Sequence, residues 1–178
     1  MPELSGNKGE WSEIYVFLRL LEMGKLYAAD SELNKLDDVF YNIINIIRNE
    51  NAGILEFRID HVNELISVVN TETNIDLCNI SINEFKENAD KLYNEIVSAN
   101  TPSFSVEEVE AFLDSMNVNS LKAKSTDKAD IRIKIHDINT GYESVQGFSI
   151  KSRLGGASTL INAGKTTNFI YEITGPVN

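Results

Sequence analysis

Cysteine is almost missing: Cys78 stands alone in 178 residues, so there is no internal disulfide framework and the chain suits a reducing compartment. A lone thiol of this kind reads first as a small buried hydrophobe. Histidine is scarce as well. His61 and His136 have no companions at zinc-site spacing, which excludes a structural zinc site. No apolar run approaches the ~20 residues a membrane-spanning helix needs, and the opening MPELSGNKGE lacks the pattern of a secretion signal. A cytoplasmic protein without membrane contact is the expectation. Positive charge is also in short supply: 16 Lys and Arg face 27 Asp and Glu, a net charge of −11, which argues at first against a polyanionic partner.

The charge that is present is unevenly placed. Residues 1–118 carry 8 basic and 22 acidic side chains, whereas residues 119–165 carry 8 basic and only 4 acidic. Polyanion binding depends on local basic patches rather than on the total. Two readings stay open: a basic binding face, or a basic segment that merely balances an acidic one. A hydrophobic content of 42% and a charged content of 24% are those of a globular chain long enough for one domain with a real core.

Asn7 with Glu10 reads as a capping box that opens a helix, and Gly24 as its stop. Ile14, Phe17, Leu18 and Leu21 form its apolar stripe. Val39, Ile43, Ile46 and Ile47 predict a second helix over 37–49. Residues 53–59 and 65–69 read as strands. Ser81 with Glu84 caps a helix to about Ser98, and Ser105 with Glu108 caps another through Met116. A short strand is expected near 121–123, then a β-hairpin, a helix over 157–163 and a strand over 168–174. The expected architecture is a single α+β domain, 1–178. Its mixed central sheet is flanked by helices, with a helix-rich part at 1–118 and a hairpin core at 119–178.

The hairpin, ADIRIKIHDINTGYESVQGFSIKS, carries the chemistry. Ile131, Ile133 and Ile135 share one face, with Phe148 and Ile150 opposite, while Asp130, Arg132, Lys134 and His136 share the other. Symmetry about Thr140-Gly141 would set Asp130 against Lys151 and Arg132 against Ser149. A carboxylate facing an ammonium this way suits metal-dependent phosphodiester hydrolysis: a divalent cation polarises the phosphoryl oxygen and acidifies water, and lysine stabilises the developing charge. The plain alternative is a surface salt bridge, worth about 0–1 kcal/mol. The stretch at 159–166 matches only the end of a phosphate-binding P-loop. Thr159 stands where its first glycine is required, which excludes a nucleotide triphosphatase.

Three stretches in order, GNKGEWSEIYVFLRLLEMGKLYAAD, KAKSTDKADIRIKIHD and GFSIKSRLGGASTLINAGKTTNFIYEI, resemble the HpaII-type restriction endonucleases, which have the PD-(D/E)-x-K nuclease core. The resemblance spans essentially the whole chain. It aligns Ala129-Asp130 with the PD element and Ser149-Ile150-Lys151 with the final triplet. It implies a Mg2+-dependent endonuclease cutting double-stranded DNA, with CCGG the site by analogy. Asp130 would be a metal ligand, Lys151 the catalytic lysine, and the Ile150 carbonyl a further ligand.

Ala129 for proline is a mild departure. Ser149, in a catalytic position, is a serious one, because a hydroxyl brings no charge to a hard cation. Glu10 and Glu13 continue the inward stripe of the first helix and could supply the missing carboxylate. Since the capping box already accounts for Glu10, Glu13 is the expected metal ligand. Arg132, Lys134, Arg153 and Lys165 are the expected DNA contacts, the last two beside a helix N-terminus after Gly155-Gly156. Family members are longer, so a fragment lacking a C-terminal recognition region is expected, and a homodimer is a further expectation. The competing class is a DNA-binding or structural module with a degenerate site.

Overall fold

Helix α1 (Lys8–Met23) begins as its sequence dictates. The Asn7 side chain accepts from the N–H groups of Gly9 and Glu10, and the Glu10 carboxylate accepts from the Asn7 N–H at 3.0 Å. It ends at Gly24, whose φ of 63° is the left-handed conformation glycine tolerates best. The computed structural model describes residues 4–124, 127–152 and 154. The helix expected over 157–163, the strand over 168–174 and the loop Gly155-Gly156 lie outside these residues, as do Arg153 and Lys165.

After α1 come β1 (Lys25–Ala29), β2 (Lys35–Glu50), β3 (Gly53–Asp60), β4 (Leu65–Asn70) and β5 (Ile75–Ser81). Then follow α2 (Ile82–Ser98), α3 (Glu107–Ser115), β6 (Ile131–His136) and β7 (Glu143–Phe148). The main correction is β2, a 16-residue strand where a helix was expected. Its apolar residues fit a helical stripe, but Ile43, Ile44, Ile46 and Ile47 are β-branched and stiff at χ1. A register shift between Ile43 and Asn45 also breaks the two-residue alternation that would have betrayed a strand. β1 and β5 were not foreseen, so five of the seven strands lie before residue 82, in the part read as helix-rich.

Two smaller expectations also change. No strand forms at 121–123. The Ser105–Glu108 box is absent: α3 starts from Val106 without a side-chain cap, and Glu110 accepts from the Val106 N–H at 3.0 Å instead.

Every described strand pairing is antiparallel, in the order β5-β4-β3-β2-β6-β7, so the sheet is not mixed among these residues. Asn42 pairs with Lys25 on one edge and His136 on the other, so β1 and β3 share one edge of β2 while β6 takes the opposite one. One face, carrying Ile46, Phe57, Val68 and Ile133, packs with Trp11, Phe17, Leu21, Phe85 and Phe112 in a single core. The isoleucine face of β6 is buried as expected, and the half-buried Cys78 packs against the same core. The opposite face carries a polar row, Asn79, Ser67, Arg58, Asn45 and Lys134, aligned across five strands. Among the described residues no helix is long and apolar enough to cross a membrane.

Candidate active site

The β6–β7 hairpin sets Asp130, and its register differs from the expected one. Ile131 lies opposite Phe148 and Arg132 opposite Gly147, a two-residue offset from the pairing centred on Thr140-Gly141. The turn causes it. Asp137 N–H donates to the Tyr142 carbonyl at 2.9 Å, the Asp137 carboxylate accepts from Asn139 N–H and Thr140 Oγ1, and Gly141 takes φ 69°. The loop is therefore centred one residue earlier. An offset of two leaves every side chain on its expected face, so the isoleucines keep their apolar partner.

Asp130 and Lys151 are accordingly not cross-strand partners. β7 ends at Phe148, and Lys151 is exposed, with no ion pair or hydrogen bond among the described residues. The two motif halves are joined by the main chain instead. Asp130 N–H donates to the Phe148 carbonyl at 3.0 Å, and Asp130 Oδ2 accepts from the Ile150 N–H at 2.7 Å. Ser149 is exposed, while Ile150 is half-buried against the core. The Ser152 hydroxyl lies 2.9 Å from that of Ser12, which draws the segment after β7 onto the first turns of α1.

On α1 the two glutamates separate. Lys122 at 2.7 Å and the capping bond to Asn7 hold the Glu10 carboxyl below its usual range. Glu13, next to Ser12 and half-buried, is pushed up to about 7, first by burial and then by the negative charge of Asp130. The backbone N–H of Ala123 and the charges of Arg48 and Lys122 oppose that rise without cancelling it. Two carboxylates are thus brought together where neither water nor a cationic side chain fully compensates them. Beside Asp130 lies a cavity of about 20 Å³, room for one water, lined by Arg48, Glu50, Ser120, Lys122 and Asp127 among others.

This donor set fits a hard divalent cation, which prefers oxygen ligands and relieves like-charge repulsion. Among the described residues no group of three or more His, Cys, Asp and Glu converges, so Glu13 and Asp130 are the two acidic donors here. Arg132 and Lys134 lie on the polar face of the sheet; Lys134 is paired with Glu143 at 2.8 Å, and Arg132 lines the cavity. Sequence reasoning missed Asp127, Arg48, Glu50 and Lys122 around the cavity. Arg48 and Glu50 alternate at the end of a strand that read largely as a helix, and Lys122 belongs to a segment that read as a short strand and forms none.

The profile of the HpaII restriction endonuclease family matches residues 7–178. The type II restriction enzyme HpaII of Haemophilus parainfluenzae is 40% identical over 170 residues, which cover 95% of this chain and 46% of that protein. The chain therefore spans about half the length of the curated relative it matches. No solved structure matches it. Since that similarity takes in α1 with Glu13, the Asp130 hairpin and the segment that closes on it, the chain belongs to the HpaII restriction endonuclease family.

Proposed function

We propose that this chain is the nuclease core of a site-specific endonuclease that hydrolyses DNA phosphodiester bonds with Mg2+. The observation that carries this reading is the half-buried Glu13 carboxyl beside Asp130, whose negative charge adds to burial in pushing it up to about 7, a pairing that a cation would relieve. Asp130 and Glu13 would hold the ion, with the Ile150 carbonyl as a neutral third donor. Glu13 supplies the charge that Ser149 cannot. When bound, the ion supplies Lewis acidity towards the phosphoryl oxygen and the attacking water. Lys151 directly follows the residue whose N–H bonds Asp130, so its ammonium stabilises charge developing at phosphorus. Arg132, Lys134, Arg153 and Lys165 contact DNA phosphates, which gives affinity and register but no sequence reading.

CCGG is the sequence to assay first, by likeness to the family's namesake. A homodimer, a further base-reading region and a cytoplasmic location belong to the same proposal. Exposed, uncharged Ser149 favours a second reading, a DNA-binding module with an inactive site. Incubation of CCGG-bearing plasmid with Mg2+ separates the two: linear product supports the nuclease, while retarded but uncut DNA supports the module.

A further inference from the structure

Between α3 and β6 the chain crosses the end of the sheet as an irregular strap, residues 118–124, that belongs to no strand. It is nonetheless tied down at nearly every residue. Asn119 N–H donates to Glu50 Oε2 at 3.0 Å, and the Ser120 hydroxyl lies 3.3 Å from the same oxygen. The Ser120 carbonyl accepts from Arg48 Nη2 at 2.8 Å, and Lys124 Nζ donates to Asn49 Oδ1 at 2.8 Å. The Ala123 backbone lies against the Glu13 carboxylate and favours its charged form.

At the centre of these bonds is one buried ion pair, Arg48 Nε to Glu50 Oε1 at 2.7 Å, with side chains only 9% and 2% exposed. Its guanidinium also lies over the ring of Phe17, 4.9 Å from the centroid, one turn along α1 from Glu13. A pair removed from water contributes little net stability, because desolvation offsets the attraction. What it does fix is geometry: β2, the strap and α1 meet at it.

We propose that Glu50 and Arg48 are positioning residues for the cation site. They clamp the strap so that the Ala123 N–H meets Glu13 and keeps that carboxylate turned towards Asp130. This inference rests on the reading of Glu13 and Asp130 as cation ligands. Without the clamp, repulsion from Asp130 would swing the Glu13 side chain to solvent and leave one carboxylate at the site.

The test is calorimetric titration of the chain with MnCl2, alongside thermal melting followed by circular dichroism. The variants are Glu13→Gln, the double Arg48→Met/Glu50→Leu and Ser120→Ala. The double variant replaces the pair with apolar volume and leaves no buried charge unpaired. It should melt cooperatively and raise the Mn2+ Kd about tenfold or more, the effect expected of groups that orient ligands. Ser120→Ala removes the hydroxyl's bonds to Glu50, Arg48 and the Lys122 carbonyl and spares both charges. It should raise the Kd about two- to threefold, and it keeps the test open if the double variant does not fold. A folded variant of either kind that binds Mn2+ like wild type, while Glu13→Gln loses binding, overturns the positioning role and leaves the site intact. Unchanged binding in Glu13→Gln removes the ligand assignment and this inference with it.

Discussion

Replacing Glu13 with glutamine should stabilise the metal-free protein at alkaline pH while weakening its response to metal. Glu13 titrates near 7 in the folded chain against an ordinary 4.5, so the folded state holds an extra proton between those values. A group raised in this way favours folding below about pH 4.5, and that contribution is lost as the pH rises through 7. The shift corresponds to about 3 kcal/mol before screening. Because the carboxylate is only half-buried, solvent brings this down to ~1 kcal/mol. Other carboxylates also titrate at acid pH, so the informative quantity is the difference between variant and wild type. Measured by urea unfolding without metal, that difference should move in favour of Glu13→Gln by ~1 kcal/mol between pH 5 and pH 8. At pH 8, Mg2+ should then raise the stability of wild type and leave the variant nearly unmoved. A difference that stays flat across that range would show that Arg48, Lys122 and the Ala123 N–H already neutralise the carboxylate. In that case the site has no electrostatic drive to take up a cation.

Other perturbations separate chemistry from support. Lys151→Ala should lower the cleavage rate of the native enzyme by orders of magnitude with an unchanged melting curve, since its interaction is made in the transition state. Ser149→Ala should weaken cleavage far less, and equal effects of the two would remove Lys151 from the chemistry. Arg132→Glu and Lys134→Glu should each take ~1 from the slope of log K against log salt for DNA binding, and unchanged slopes would move the contact surface elsewhere. Gly24→Ala should cost about 1–2 kcal/mol through its positive φ alone, with more from the His61 ring that its Cβ would strike. His61→Ala should recover only the second part, measured by thermal melting of the double variant.

How far the sequence could be read depended on the range of the interactions involved. Period-two alternation is local, so the faces of β6 and the burial of Ile131, Ile133 and Ile135 were legible. Register was not, because it hangs on which residues close the turn, and Asp137 with Tyr142 outweighed the Thr140-Gly141 signal. The half-buried placement of Glu13 was legible because it stood on the inward stripe of a well-capped helix. β2 was misread because, although β1 and β3 flank it in sequence, the strand on its other edge, β6, comes from far along the chain, and tertiary pairing overrode the apparent helical stripe. Distance in sequence hid Arg48, Glu50 and Lys122: Ser120 lies 72 residues from Arg48 and 70 from Glu50, and Glu10 lies 112 from Lys122.

The length of β2 has a consequence for the protein as a solute. Its ladder with β6 covers residues 42–47 only, so along 35–41 one edge offers backbone N–H and C=O groups with no strand partner among the described residues. Such an edge is a template for sheet growth by another chain. Leu36, Val39 and Tyr41 on it are exposed, and the charges that interrupt them are Lys35, Asp37 and Asp38, the first two joined at 2.6 Å. Among the described residues one end of the strand thus leaves an edge unpaired, and the other lines the cavity. Changes that neutralise 35–38 should appear as turbidity in a concentrated solution long before they appear in any assay of the site.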